Sequence, residues 1–468
     1  MASVLSQLMG QWMDVQGLLI FLCVLLLVKH LRDVLTNNMP PGPFPLPLIG
    51  NVLNIGFTDP LGSFQRRYGD VSTLYLGNNP CILLTGYESF KEAFVEQADI
   101  FTDRPYFPII DKLSLIFSSG HMWHQQRRFA LAALKYFGVG KKTLENSILQ
   151  ECRFLCDSIQ AERGLPFNPQ HLVTDAVANI ICGLVFGHRF EYDDHKFHLI
   201  QEYLDDLYNQ FPTLMSMLPG KHQTAFASMS KLKPFLQEEI IKHKEERDPS
   251  NPRDYIDCYL DEIEKCKDSE AEFTEENLIY CVVDLFGAGT ETTSNTLRWA
   301  LLFMVKYPEV QEKVQSEIDQ VIGQTRQPLM DDRTNLPYTY AVLHEIHVRQ
   351  HYYLHASQNG QLCGVMVLPL LKSILQDKNE NSTPYEFNPA HFLDENGKFL
   401  KKDSFIPFSI GKRLYPGEQL ARMELFLFFT SLMQCFTFLP LEGRTLSLKG
   451  TIGVSSGPEP FQIRAVPQ

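Results

Sequence analysis

The sequence predicts a mainly α protein with a small β region and an N-terminal membrane anchor. Three observations carry this reading. From His121 onward the apolar pattern is helical, with loops at Gly138–Gly140, Arg163–Gln170 and Asp248–Arg253. Ahead of it lie two short β-rich runs, Val71–Leu76 and Cys81–Thr85, parted by the turn Gly77-Asn-Asn-Pro80. At the N-terminus, Gly17–Val28 is almost entirely apolar and is followed by Lys29, His30 and Arg32.

That apolar run is short for a membrane span, and a signal-peptide core is the competing reading. No small-residue cleavage site follows it, Asp14 precedes it, and the basic residues lie on its C-terminal side. Such a flank is retained in the cytoplasm, which favours an uncleaved anchor with a cytosolic body. Trp12, Met13 and Val15 at the interface, or local bilayer thinning, would complete the length. Residues 39–48 carry Pro40, Pro41, Pro43, Pro45 and Pro47 and form a stiff hinge. The division is therefore anchor 1–38, hinge 39–48 and a single body 49–468, with no internal repeat.

Composition narrows the function. A hydrophobic share of 44% with 33 Phe supplies a large core and the lining of a greasy cavity. The net charge of −13 argues against a nucleic-acid partner. The 10 cysteines show no CxxC spacing, and a disulfide framework does not suit a cytosolic body of this size. Cys152 and Cys156, four apart on a helix, read as core thiols.

Within the helical body, the apolar stretch Leu278–Tyr307 is interrupted by Gly287-Ala-Gly289-Thr-Glu291-Thr292-Thr-Ser294. A glycine inside a helix costs about 1 kcal/mol relative to alanine, so two of them ask for a reason. Close approach of a flat ligand, with a local opening of the helix that admits water, is one. The hydroxyl of Thr292 beside the acid Glu291 could then deliver protons. A kinked core helix is the other. Trp123 and Arg127, four apart on a helix, share a face, so an indole N–H and a guanidinium can reach one carboxylate. Surface packing is the alternative there.

The segment Phe408–Ala421, with Gly411, Arg413, Tyr415 and Gly417, closely resembles the haem-ligand signature of the cytochromes P-450. In that haem-thiolate monooxygenase family a cysteine stands where Tyr415 stands here. The segment around Glu291 and Thr292 resembles the family's oxygen-activating helix, (A/G)-G-x-(D/E)-T-(T/S). Trp123 and Arg127 match the pair that binds one haem propionate, and Arg413 matches the residue that takes the other. Phe101-Thr-Asp-Arg-Pro105, Gln126-Arg-Arg-Phe129 and Phe387–Phe392 look most like microsomal family 2, subfamily J. The resemblance implies the P-450 fold, haem b as cofactor and oxidation of lipophilic substrates such as polyunsaturated fatty acids and xenobiotics. It also implies an endoplasmic-reticulum membrane and electrons from NADPH through the P-450 reductase, with cytochrome b5 as a further partner. Arg127, Arg128, Lys135, Lys412 and Arg422 would flank a face for an acidic redox partner, or form a solvated charged face.

The pattern breaks in three places. Tyr415 cannot give the electron push of a thiolate, although phenolate can ligate haem iron. Its ring reaches further than a cysteine, so either it swings aside or the haem is displaced, with overpacking of about 1–3 kcal/mol. Second, the family's Glu-x-x-Arg becomes Glu345 with Val348 at the arginine position and Arg349 one residue later. Arg349 then points about 100° away, and the tether to the His391 region is expected to fail. Third, His351–Asn381 resembles the family poorly and is short, and His198–Phe211 is abbreviated. Two functions follow. One is a working oxidoreductase with haem seated by Trp123, Arg127 and Arg413 and oxygen handled by Glu291 and Thr292. The other is an inactive membrane-bound remnant that binds lipophiles or loose haem.

Overall fold

A computed structural model describes residues 2–36, 38–54, 62–104, 115–201, 222–349, 360–362, 365–378, 380–381, 383–451 and 455–468. Helices dominate, as the sequence pattern predicts: α1 (Ala2–Thr36), α2 (Gly62–Tyr68), α3 (Tyr87–Lys91), α4 (Gly120–Tyr136), α5 (Lys142–Ala161), α6 (Gln170–Val185) and α7 (His222–Glu246). They continue with α8 (Tyr255–Lys265), α9 (Glu275–Lys306), α10 (Pro308–Val321), α11 (Pro337–Arg349), α12 (Leu371–Leu375) and α13 (Glu418–Cys435).

Helix α9 is the axis of the body, and its ends are written in the sequence. Thr274 caps it by accepting from the Asn277 amide at 3.1 Å. Glu275 and Glu276 complement the positive end and Lys306 the negative one. Pro308 then opens α10 at a position where the missing N–H is harmless. Helices α5, α6 and α13 pack on α9 or on each other. They enclose a core that includes Cys152, Val177, Trp299, Leu302, Phe426 and Phe429.

The two β-rich runs are strands β1 (Val71–Leu76) and β2 (Asn79–Leu84), which pair antiparallel with Val71 opposite Leu84, β2 starting two residues earlier than the run. The sheet continues through β4 (Val365–Pro369), parallel to β2 with Cys81 opposite Met366, to β3 (Gly360–Leu362) at the other edge. The divergent segment His351–Asn381 thus still contributes strands. Residues 350–359 lie outside the described residues, as does most of His198–Phe211. A second antiparallel pair joins β5 (Phe436–Leu439) to β6 (Arg464–Pro467).

The proline hinge is stitched to the body rather than merely stiff. The Thr73 amide donates to the Pro41 carbonyl at 2.9 Å, and the Thr73 hydroxyl to the Pro40 carbonyl at 2.8 Å. Leu18–Val28 of α1 present exposed apolar side chains, with Cys23 exposed among them. Among the described residues no helix is long and apolar enough to cross a membrane.

Helix α9 also corrects an expectation. It runs unbroken through Gly287 and Gly289, with no local opening. A Cβ at Gly289 would stand 2.4 Å from Cδ1 and 2.9 Å from Cγ1 of Ile181 on α6. This glycine serves close packing against α6, a reason that neither the ligand's approach nor a kinked core helix had supplied.

Candidate functional site

The loop before α13 brings Tyr415 towards α9. Two backbone features shape it. Ser409 has φ 66° and Gly411 φ 83°, and a side chain on Gly411 would run into the Phe94 carbonyl. The Tyr415 amide closes back on the Phe408 carbonyl at 3.2 Å. Gly417 then starts α13, and a Cβ there would lie 3.0 Å from Cε1 of Tyr415. Gly411 is therefore required by the loop, while Gly417 leaves the Tyr415 ring its closest approach.

From this loop the Tyr415 hydroxyl donates to the Ala288 carbonyl of α9. The Thr292 hydroxyl donates to the same carbonyl at 2.8 Å. Burial raises the Tyr415 phenol well above its ordinary value, with the nearby Thr292 hydroxyl opposing that shift. The phenol is therefore neutral and acts as a donor. Glu291, although adjacent to Thr292, directs its carboxylate elsewhere. It accepts from Asn295 Nδ2 at 2.7 Å and from Ser455 Oγ at 3.4 Å. The two residues are neighbours in sequence with separate polar partners.

Beside the loop lies a cluster of cations. Arg413 stacks on the buried Trp123 with its guanidinium carbon 3.7 Å from the ring centroid, and Arg127 stands 5.6 Å from that centroid. Arg413 donates to the carbonyls of Thr102 at 2.8 Å and Ser118 at 2.6 Å, and Arg127 donates to that of Leu414. Arg104, unassigned by the sequence reading although it stands in the quoted Phe101–Pro105, joins them through the Ile116 carbonyl at 3.2 Å. Burial, then the charges of Arg104 and Arg127, lowers the pKa of Arg413. Burial, then Arg127, does the same to Arg104. Guanidiniums stay protonated in proteins, so the cluster favours an anion.

Tested against haem, the site divides. The rim fits: Arg104, Arg127 and Arg413, gathered around the neutral Trp123 indole, present the cations that two propionates would need. The centre does not. A macrocycle between loop and helix needs about 3.5–4.0 Å of carbon contact distance on each face. The Tyr415 ring crosses that layer and ends in hydrogen-bond contact with α9. Cys435 offers no substitute, because it closes α13, roughly 25 Å from Glu418 at 1.5 Å per residue.

The expected failure of the loop's tether is also corrected. Glu345 Oε1 accepts from Arg349 Nε at 2.7 Å, and its Oε2 lies 3.0 Å from His391 Nδ1. Arg349 Nη1 reaches the Pro384 carbonyl at 2.7 Å, and His391 Nε2 lies 2.9 Å from Thr383 Oγ1. The long arginine side chain bends back to its own helix turn, leaving the second carboxylate oxygen for His391. Of the basic residues proposed for a partner face, Lys412 pairs with Asp99 and Arg422 with Glu418 at 2.9 Å.

Glu424 on α13 escaped the sequence reading. It is fully buried, and neither carboxyl oxygen has a hydrogen-bond partner among the described residues; Thr293 stands near without closing one of ordinary geometry. Burial raises its pKa well above the carboxylate range. An acid at a core position of an otherwise apolar helix face was the available signal.

Comparison with known proteins agrees with this construction. The family model described as Cytochrome P450 matches residues 40–354 and 362–465. The match resumes at residue 362, so the break is narrower than the sequence reading expects. Cytochrome P450 2J2 of Homo sapiens is 45% identical, over 95% of this chain and 94% of that protein. Cytochrome P450 2J3 of Rattus norvegicus is 45% identical over 94% and 93%, and cytochrome P450 2C23 of the same species 42% over 95% and 97%. With these relatives of family 2, and a signature loop complete except for its cysteine, the chain belongs to the cytochrome P450 family.

Proposed function

We propose that this chain is an endoplasmic-reticulum member of the haem-monooxygenase family that retains the scaffold for lipophilic molecules and does not perform thiolate-dependent oxygen insertion. The observation that carries this is the hydrogen bond from Tyr415 to the Ala288 carbonyl. A neutral phenol at that position lacks the electron donation on which O–O cleavage depends. Glu291 and Thr292, the inherited oxygen-handling pair, here serve Asn295, Ser455 and the Ala288 carbonyl.

The remaining features follow the lineage. Residues 1–38 hold the protein on the membrane and 39–48 set the angle of the body, 49–468. Polyunsaturated fatty acids and xenobiotics are the ligand classes. The NADPH-dependent reductase and cytochrome b5 are the partners against which turnover is to be measured.

The test is the spectrum of the full chain, reduced and exposed to CO, with NADPH-dependent product formation from a polyunsaturated fatty acid in the presence of reductase. The expected result is no long-wavelength Soret band and no product. A thiolate-type band with turnover would overturn the reading in favour of a working oxidoreductase. Alkaline carbonate extraction should leave the chain in the membrane pellet, and its release would remove the anchor.

A further inference from the structure

In this fold the ligand loop and the long helix α9 face each other across a layer, and something must join them. Tyr415 does so directly. Its hydroxyl donates to the Ala288 carbonyl, which also receives the Thr292 hydroxyl at 2.8 Å. Gly417 leaves room for the ring, since a Cβ there would stand 3.0 Å from Cε1. Phe408 flanks it, with ring centroids 6.1 Å apart. The two residues before Tyr415 are fastened as well: Leu414 by Arg127 from α4, and Arg413 by the carbonyls of Thr102 and Ser118.

We infer that Tyr415 is a strut that replaces the cofactor as the link between loop and helix, so that the chain folds without haem and refuses it while the ring stands. This rests on the proposed loss of thiolate chemistry but goes further. A chain lacking the thiolate could still hold haem through phenolate, or loosely, whereas a strut excludes both. Three physical points favour the strut. The phenol is a neutral donor on a carbonyl, not a phenolate awaiting a metal. The rim guanidiniums already have carbonyl partners, so removing haem leaves no gap in hydrogen bonding at Arg413. Finally, buried polar contacts of this kind are worth keeping because the alternative is an unpaired buried hydroxyl.

The test uses the full chain solubilised from membranes, with hemin titration followed at the Soret band and hydrogen exchange of backbone amides. Wild type and Tyr415→Phe are expected to show no saturable haem uptake, while Tyr415→Gly, which opens the layer, takes up stoichiometric haem. Tyr415→Phe keeps the ring and the fold but loses the donor. Amides of 287–292 and of 414, 415 and 417 should exchange several-fold faster in it than in wild type. Stoichiometric haem in the wild type that is lost in Tyr415→Phe would make Tyr415 a ligand and overturn the strut. Unchanged exchange in Tyr415→Phe would overturn it too, as would a Tyr415→Gly protein with native circular dichroism that refuses haem. If Tyr415→Gly fails to fold, the wild-type titration and the Phe exchange decide. Failure of the strut is separable from failure of the proposed function: exchange could be unchanged while the thiolate band is still absent.

Discussion

Glu345 on α11 lies 3.0 Å from His391, 46 residues further along the chain, and the same carboxylate holds Arg349 through its other oxygen. All three side chains are buried, and the Asn388 amide adds a third partner for the Glu345 carboxylate at 3.2 Å. Moving the arginine one residue along the helix therefore leaves the anchor of the loop closed.

Removing Arg349 should show how much that anchor is worth. Breaking a buried ion pair by deleting one partner typically costs about 3–5 kcal/mol, because the other charge stays buried and uncompensated. Arg349→Ala is expected to lose stability in that range by denaturant titration. Arg349→Lys should recover only part of it, since a lysine cannot donate to Glu345 and Pro384 in the same fork. A loss below about 1 kcal/mol would assign the pair to the marginal class of surface bridges.

Gly289→Ala should be destabilising, and the reason is a single methyl group. The new Cβ meets Ile181 Cδ1 at 2.4 Å, overpacking worth about 1–3 kcal/mol, against about 1 kcal/mol gained from helix propensity. In an Ile181→Ala background, where both Cδ1 and Cγ1 are absent, the same substitution should become neutral or stabilising. Equal effects of Gly289→Ala in the two backgrounds would rule out this contact as the cause.

These two positions also mark where sequence reasoning ends. Helix α9, the hairpin β1–β2 and the proline hinge were legible because caps, alternation and turn residues act over a few neighbours. The partner of Gly289 is on another helix, 108 residues earlier, so its purpose could not be told from a ligand's approach. Arg349 was misjudged because helical period gives the direction of Cβ, while a long side chain can fold back onto its own turn. Trp123, Arg127 and Arg413 were found through their spacing and resemblance. Arg104 was quoted without a role because only the fold brings it to them.

His243 gives the protein a pH-dependent joint between α7 and α8. Its Nδ1 lies 2.7 Å from the Glu239 carbonyl and its Nε2 lies 2.9 Å from Asp254 Oδ2. Both ring nitrogens face acceptors, which favours the imidazolium. Burial lowers the pKa, but the Asp254 carboxylate outweighs it with help from the Glu239 carbonyl, so the folded value is raised. Stability from this pair is then fully present below about pH 6.5, the unfolded value, and is lost as pH rises through the folded one. Melting temperature should fall over that alkaline interval, and His243→Gln should flatten the fall. Asp257, held down against burial by Arg253, acts in the opposite, acidic window and should leave this interval unchanged. A His243→Gln curve with the wild-type slope would dismiss the joint.

Tyr415→Cys is expected to restore a thiolate-ligated haem. The substitution removes the ring that crosses the layer between loop and α9 and restores a thiolate of ordinary reach. The supporting shell is in place: Trp123 and Arg413 remain stacked, Gly411 and Gly417 keep the loop shape, and Glu345 ties Arg349 to His391. A ligand must be held within roughly 0.5 Å to function, and these contacts are what hold it. The single variant should therefore take up haem and give the long-wavelength Soret band when reduced with CO. Adding Arg349→Ala should leave the thiolate present on a poorly held loop, with faster loss of haem and a shift towards the band of a non-thiolate complex. If Tyr415→Cys folds but gives no thiolate band, the stretch between α11 and β3 carries damage that the tether does not offset. If the double variant retains haem as well as the single one, the tether is dispensable to the loop.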